Sequence, residues 1–434
     1  MPGYTPVRRL LGWPDPGPLL VSGLIGLLLA VYAWAAIVPV FGAHAPRADD
    51  FQDYLLAAHQ LATGGDPYAS FVHTHVSNDW SLSSGYLYPP AFAVFLIPLT
   101  WVSNDLAVRI WLVLMQAVVV ASVVIINRVI GRPRRAEVLC LVAVLTTFFP
   151  LLSSNLTGTM NAILLLLLTV AWAAWQRQRD VAAGVMVGVA AVIKLFPLAL
   201  VPYLAWRRHW RLLAALGVAV LGGVLLGFAV TSVKHNIYYF HEMLPHLAAG
   251  TGYRENQSLA GFTARLCNTS LADAGGSAGW CGRLLDWPLV LALLVMVLAA
   301  TVRVRRSGLE FALAVSTLPL ISSVTWSFHL VILILPIALL IRRVFDGAMS
   351  RGAGRVLIVA WLCFSVGPAI HYLLIFHPLP QWPGILEVVP ALLTRLAGET
   401  YFIGSLIVFG SLWLALRKEQ RIAAAAPPAP AIAA

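Results

Sequence analysis

The feature that most constrains this chain is a succession of long apolar runs separated by short arginine-rich stretches. A bilayer core requires about 20 apolar residues per helix, because every backbone N–H and C=O in lipid must be hydrogen-bonded within the segment. The sequence therefore predicts an all-α polytopic membrane protein, and 60% hydrophobic with only 11% charged residues argues against a soluble globule or a disordered chain. The predicted spans are 18–42, 105–130, 137–153, 158–176, 211–232, 286–302, 309–327, 329–345, 355–376 and 399–416.

An eleventh apolar stretch, 181–206, is unusual because Lys194 and Pro197 lie near its middle and arginines flank both of its ends. Arginine-rich flanks are typical of the cytoplasmic side. If both ends are cytoplasmic, the stretch must be a hairpin of two short helices that turns near Lys194. This hairpin brings the predicted total to about 12 membrane segments.

The basic residues predict the orientation of the chain. With the hairpin, the basic clusters fall on one side, so both termini are predicted to be cytoplasmic and the loops 43–104, 233–285 and 372–398 to lie outside. The sequence pI of about 9.9 then reflects membrane topology and not a nucleic-acid partner. We predict one integral membrane domain over 1–422 and a disordered tail, rich in Ala and Pro, over 423–434.

Polar residues collect in the predicted outer loops, as expected of an enzyme that acts on membrane lipids at one face. The first loop contains Asp49, Asp50 and Asp53, and apolar residues repeat at helical spacing over 51–62, which predicts an amphipathic helix on the outer interface. Asp49 and Gln52 have the spacing of a capping box. Asp50 borders the apolar stripe and is the carboxylate best placed to face a cleft, whereas Asp49 and Asp53 are caps, solvated residues or substrate contacts.

Two further outer positions are candidates for binding a lipid phosphate. Lys194, in an otherwise apolar stretch, costs about 2.5 to 3.5 kcal/mol to insert, so it either snorkels to the surface or binds an anion. His329 follows a polar run that includes Trp326, and is either a satisfied interior group or a partner of a phosphate or hydroxyl.

Other candidates are less distinctive. The polar string 254–258, with Arg254, Asn256 and Gln257, is either solvated loop or a binding segment. Asn155 at a predicted outer turn, and Tyr88 before a short apolar helix over 88–101, are favoured as structural but remain substrate-binding candidates.

Cys267 and Cys281 share the second outer loop, where an oxidising compartment favours a disulfide between them. A zinc site is not predicted, because no His/Cys pair has ligand spacing. The sequence also contains no P-loop, dinucleotide fingerprint, HExxH or GxSxG motif, so no metal or cofactor is predicted.

Six strings follow one another along this sequence: Asp50-Phe51-Gln52-Asp53-Tyr54, Gly64-Gly65-Asp66-Pro67-Tyr68, Tyr88-Pro89-Pro90, the Lys194–Pro197 turn, Asn256-Gln257-Ser258-Leu259 and Val324-Thr325-Trp326-Ser327-Phe328-His329. Taken in this order, they resemble glycosyltransferase family 87, and the resemblance extends over roughly 18–416. The family contains polytopic enzymes of the GT-C architecture that use polyprenyl-phosphate sugars, among them actinobacterial α-mannosyltransferases of phosphatidylinositol mannoside and lipoarabinomannan synthesis and an arabinofuranosyltransferase.

The resemblance implies that Asp50 is the catalytic base and that His329 is the family histidine, while Phe328 stands where the family often has a second histidine. Lys194, His329 and Arg254 would bind the donor phosphate. The implied activity is metal-free, inverting transfer of mannose from a polyprenyl-phosphate sugar to a glycolipid or lipoglycan acceptor on the outer face of the cytoplasmic membrane. The alternatives are arabinofuranosyl transfer, a lipid-sugar flippase or transporter, and a non-catalytic scaffold.

Overall fold

The computed structural model describes residues 17–69, 85–270, 276–277, 279–302, 306–367, 369–370, 373, 393 and 395–425, and every regular element within these ranges is helical. The helices, numbered in chain order, are α1 (Pro18–Phe41), α2 (Asp49–Ala62), α3 (Pro90–Val94), α4 (Asn104–Ile130), α5 (Arg135–Thr147), α6 (Phe149–Thr157), α7 (Asn161–Gln176), α8 (Asp180–Ile193), α9 (Phe196–Trp206), α10 (Trp210–Val230), α11 (Val233–Tyr238), α12 (Leu244–Ala248), α13 (Leu259–Cys267), α14 (Gly279–Thr301), α15 (Gly308–Ile321), α16 (Ser327–Phe345), α17 (Arg351–Ser365) and α18 (Thr400–Ala425).

Six helices in the described part of the chain are long and apolar enough to cross a bilayer: α1, α4, α10, α14, α16 and α18. A seventh span results if α5 and α6, bent by 44° at their junction, are counted as one. Helices α7, α8, α9, α15 and α17 are apolar but shorter. The chain is therefore an integral membrane protein, whereas the count of about 12 segments remains a prediction.

Several predicted boundaries differ from the structure; the predicted span 309–327 is α15, which ends at Ile321, and the predicted span 137–153 is divided between α5 and α6. Helix α18 continues to Ala425, past the predicted start of the disordered tail at residue 423, since alanine has the highest helix propensity. The tail beyond it and most of the loop 372–398 lie outside the described residues. The predicted helix over 88–101 is two short pieces, α3 and a 3₁₀ turn at Ile97–Trp101, because Pro98 has no N–H to continue the helical hydrogen bonds.

The stretch 181–206 is a hairpin. Helices α8 and α10 pack so closely that a side chain on Gly184 would collide with Leu212, and one on Gly223 with Val192. Residue numbers rise together along this contact, so α8 and α10 run parallel and α9 must return between them. The turn occurs at Lys194, whose extended backbone ends α8.

Charged residues gather at the end of the molecule opposite Lys194. Arginines from several predicted cytoplasmic clusters form ion pairs there, and these pairs hold the two ends of the 181–206 hairpin beside the start of α15. Ser307 also donates to Glu419, which joins this group to the end of α18. The pairs are Arg207–Glu310, Arg306–Asp180, Arg342–Glu137 and Arg343–Glu419.

Helix α2 is present in the first predicted loop, but it begins differently from the prediction. Its N-cap is Ala48, in a left-handed conformation with φ +49°, and no side chain caps the helix. The capping box of Asp49 and Gln52 is therefore wrong; Asp49 is already helical, and Gln52 donates instead to the Arg47 carbonyl. The apolar face of α2 is buried, with Phe51 stacked on Trp111, while its place at a membrane interface remains a prediction.

Candidate active site

One cavity of about 500 Å³ collects most of the predicted site residues. Its walls come from α2, the segment before α3, the Lys194 turn, the segment 239–248 and the connection between α15 and α16. These elements are far apart in sequence, so the fold alone brings their polar groups together. The predicted residues that line the cavity are Asp49, Asp50, Asp53, Tyr88, Lys194, Trp326 and His329.

Lys194 and His329 form a direct contact in this cavity, with Lys194 Nζ 2.5 Å from His329 Nε2. The other ring nitrogen, Nδ1, is within hydrogen-bonding reach of the Val324 carbonyl and lies 3.2 Å from the Trp326 N–H. If Nδ1–H donates to Val324, Nε2 is free to accept from the Lys194 ammonium. The pair then presents a positive charge that is fixed in position.

Among the three carboxylates that line the cavity, that of Asp50 is best suited to act as a general base. Burial raises the pKa of Asp50 to about 7; the negative charge of Asp53 adds to this shift, and the nearby charge of Lys194 opposes it. A carboxylate with a pKa near neutrality is suited to accept a proton at physiological pH. Asp49 on the same turn is exposed to solvent.

Asp53 has a structural partner in addition to its place on the cavity. Its carboxylate accepts a hydrogen bond of 2.8 Å from the Gly85 N–H, which ties α2 to the segment before α3. Burial raises the pKa of Asp53, and this hydrogen bond lowers it. Asp53 therefore has less freedom than Asp50 to exchange a proton with a substrate.

Tyr88 lines the cavity next to Lys194. Its hydroxyl lies 3.2 Å from that of Tyr54, and Lys194 Nζ lies 5.8 Å from the centre of its ring, within cation–π range. The Tyr88 carbonyl accepts from the Tyr68 hydroxyl at 2.7 Å. The ring is thus held from two sides.

The rest of the cavity wall is largely apolar, and sequence analysis did not identify its residues. Tyr239 is the clearest omission: it begins a π-helical turn at Tyr239–Met243, a type of distortion that is frequent at functional sites. The adjacent tyrosines Tyr238-Tyr239, in the largely polar segment that follows α10, were the available signal. The apolar lining comprises Leu87, Leu195, Phe196, Ala199, Leu244, Leu247, Ala248, Leu318, Ile321, Val324 and Phe328.

Four predicted site residues do not line this cavity. Asn155 is buried, and its amide donates to the Tyr32 hydroxyl at 2.9 Å. Asn256 and Gln257 are also buried and hydrogen-bonded within the protein, and neither lines the cavity, so their role in substrate binding remains a prediction. Arg254 lies over the ring of Tyr253 at 5.8 Å, outside the cavity.

Cys267 and Cys281 are joined by a disulfide that links the end of α13 to the start of α14. Within the described ranges, no group of three or more His, Cys, Asp or Glu side chains is arranged to hold a metal ion.

Two curated relatives from mycobacteria match most of the chain. The polyprenol-phosphate-mannose-dependent alpha-(1-2)-phosphatidylinositol mannoside mannosyltransferase of Mycobacterium tuberculosis is 29% identical over 375 residues, which cover 80% of this chain and 82% of that protein. The corresponding pentamannoside mannosyltransferase of Mycolicibacterium smegmatis is 27% identical over 428 residues, covering 96% of this chain and 95% of that protein.

Among solved structures, that of ArnT from Cupriavidus metallidurans bound to undecaprenyl phosphate aligns with 94% of this chain and 79% of its own, with a TM-score of 0.43 and 16% identity. The sequence also matches the family model of glycosyltransferase family 87 over residues 86–323, more than half of its length. This match covers Tyr88 and Lys194 of the cavity. The chain therefore belongs to glycosyltransferase family 87 and is a glycosyltransferase.

Proposed function

We propose that this protein transfers mannose, in α linkage, from a polyprenyl-phosphate mannose donor to a glycolipid or lipoglycan acceptor on the outer face of the cytoplasmic membrane. The observation that carries the proposal is the shared cavity, in which the Asp50 carboxylate lies close to the Lys194–His329 pair. A glycosyl transfer needs both groups: a base for the acceptor hydroxyl and a cation for the departing phosphate.

The cavity also suits the donor in its polarity. Its lining combines charged groups with leucine, isoleucine and phenylalanine side chains. A sugar phosphate attached to a polyprenyl chain likewise combines a charged head with an apolar tail. The choice of mannose rests on the relatives, whose names specify polyprenol-phosphate-mannose.

In the proposed reaction, the Asp50 carboxylate takes the proton of an acceptor hydroxyl as its oxygen attacks the anomeric carbon of the donor sugar. A bond forms between that oxygen and the anomeric carbon, and the bond from the carbon to the phosphate oxygen breaks. Polyprenyl phosphate leaves with the electron pair, and Lys194 and His329 stabilise its charge. One displacement inverts the configuration, so a β-linked donor gives an α-linked product.

The proposed side of the membrane follows from charge. The ion-paired arginines Arg207, Arg306 and Arg342 lie at the end of the molecule opposite the cavity. Basic residues are enriched on the cytoplasmic side, so the cavity would open to the outer face, with both termini inside.

The test is transfer of radiolabel to membrane glycolipid by the purified protein in nanodiscs. Polyprenyl-phosphate mannose and polyprenyl-phosphate arabinose are offered in parallel to wild type, to Asp50→Asn, and to Asp346→Asn, a control at the opposite end of the molecule. We expect transfer from the mannose donor that is lost only in Asp50→Asn. Transfer only from the arabinose donor would overturn the choice of sugar, and label that crosses the bilayer of proteoliposomes unchanged would indicate a flippase.

A further inference from the structure

The segment 322–326, between α15 and α16, has no regular secondary structure, yet its residues line the cavity and lead directly to His329. Backbone N–H and C=O groups in such a segment need partners from elsewhere, because they lack the hydrogen bonds of a helix. The position of the His329 ring depends on them, since its Nδ1 faces the Val324 carbonyl and the Trp326 N–H.

Two of those partners come from one side chain in the second predicted outer loop, that of Asn256; the Thr325 carbonyl accepts from the Gln257 N–H at 2.7 Å, and the Val324 carbonyl accepts from the Ser322 hydroxyl at 2.9 Å. The Asn256 Oδ1 accepts from the Thr325 N–H at 2.8 Å, and its Nδ2 donates to the Ser323 carbonyl at 3.0 Å. Nδ2 also donates to the Thr251 carbonyl at 2.7 Å, and Oδ1 accepts from the Ser258 hydroxyl at 2.9 Å. Asn256 is fully buried, so its amide forms hydrogen bonds within the protein and not with water.

The chemistry of these contacts fixes the orientation of the amide. A backbone N–H must face the amide oxygen and a backbone carbonyl must face the amide nitrogen, so the flipped amide would bring like groups together on both sides. An aspartate at this position would keep the acceptor for Thr325 but would set a second oxygen against two carbonyls.

Asn256 is itself held rigidly. The buried Arg265 donates to the carbonyls of Asn256 and Tyr253 at 3.0 and 2.9 Å. The same guanidinium forms two bonds, of 2.7 and 2.6 Å, with the buried carboxylate of Glu399 at the start of α18. Asn256 therefore joins the segment 322–326 to a part of the structure that the Arg265–Glu399 ion pair holds in place.

We infer that Asn256 is a positioning residue that holds the segment 322–326 so that His329 faces Lys194 in the productive geometry. The inference rests on the proposed role of His329 at the donor phosphate. Loss of the amide would let the segment move, and a misplacement of about 1 Å in such a site can cost roughly 100-fold in rate.

A double-mutant cycle tests this inference. The kcat for mannosyl transfer is measured for wild type, Asn256→Ala, His329→Ala and the double variant. We expect Asn256→Ala to lower kcat by roughly 10- to 100-fold with a smaller change in acceptor KM, and to have little further effect once His329 is absent. Losses that multiply in the double variant would overturn the inference. If His329→Ala alone kept full activity, the proposed role of His329 would fail, and the inference with it.

Gln257 provides a matched control, because it is an adjacent buried amide whose side-chain bonds go elsewhere, to Arg254, Gly398 and Phe402. Gln257→Ala should lower the melting temperature by an amount similar to Asn256→Ala, without coupling to His329→Ala. Should Asn256→Ala not fold, the cycle is run with Asn256→Ser, which removes the amide without burying a carboxylate against the Ser323 and Thr251 carbonyls. Equal coupling of both amides to His329 would indicate a general structural role and would contradict a specific one for Asn256.

Discussion

Lys194 Nζ lies 2.5 Å from His329 Nε2, although 135 residues separate the two in sequence. The contact joins the turn of the α8–α9 hairpin to the start of α16. Neither side chain would be expected within an apolar run unless a partner or a ligand compensated for its desolvation. Each provides part of that compensation for the other, and the proposed donor phosphate would provide the rest.

Replacing Lys194 by methionine should lower kcat by about 10²- to 10³-fold, as expected when a group that stabilises developing negative charge is lost. The melting temperature should not fall, because an apolar side chain of similar size replaces a buried charge. Initial rates and thermal melting of the purified variant check both parts. Lys234→Met, at an exposed lysine of α11, is the control that should keep wild-type activity.

The activity should depend on pH through Asp50. Only the ionised carboxylate can accept a proton, and burial raises its pKa to about 7, so kcat/KM should fall as the pH decreases below 7. The donor is a phosphodiester that does not titrate in this range. A rate profile between pH 5 and 9 measures the effect, and a profile that is flat across neutral pH would argue against Asp50 as the base.

Asp50 should also affect stability, with a sign that follows from the same pKa shift. Its pKa in the folded state is raised from 3.8 to about 7, so its contribution is most favourable at low pH and is lost as the pH rises through 7. The shift corresponds to at most roughly 4 kcal/mol. Asp50→Asn should therefore raise the melting temperature more at pH 8 than at pH 5. An equal change at both pH values would contradict the shift.

The turn before α7 should control the position of α2. Gly158 has φ +71°, and a Cβ there would lie 2.8 Å from that of Phe51 and 2.9 Å from that of Ala48, just before Asp50. Gly158→Ala should reduce both stability and kcat.

Gly64 is the matched control, since its φ is +77° but a Cβ there would meet nothing within 4 Å. Gly64→Ala should cost only the left-handed backbone penalty of about 1 to 2 kcal/mol and leave kcat unchanged. Thermal melting and initial rates of the two variants distinguish collision from backbone strain. Equal losses in both would show that the contact with α2 is unimportant.

Removal of the disulfide should destabilise the second predicted outer loop. Cys267 and Cys281 close a loop with a sequence separation of 14, for which the expected contribution is about 3 kcal/mol. A reducing agent should lower the melting temperature of wild type and leave that of Cys267→Ser/Cys281→Ser unchanged. Equal melting of wild type with and without reductant would indicate that the crosslink contributes little.

The sequence alone determined the features that depend on local composition. Apolar runs and helical periodicity predicted the membrane-embedded helices and α2. The arginines at both ends of the stretch 181–206 predicted a hairpin there, and Lys194 with Pro197 predicted the position of its turn. These predictions succeed because the backbone hydrogen bonds required in lipid, and the periodicity of side chains along a helix, both depend only on a short segment of sequence.

The tertiary structure decided which polar residues face the cavity and which support it. Asp50 and Asn256 both lie in polar strings of predicted outer loops. Asp50 lines the cavity, whereas the Asn256 side chain forms hydrogen bonds with backbone groups of the distant segment 322–326. Tyr239 lines the cavity at the start of a π-helical turn, and the hydrophobic periodicity of the sequence does not predict such a turn. The physical reason is that a hydrogen bond is directional and short, so the role of a polar side chain depends on partners that only the folded chain brings within about 3 Å.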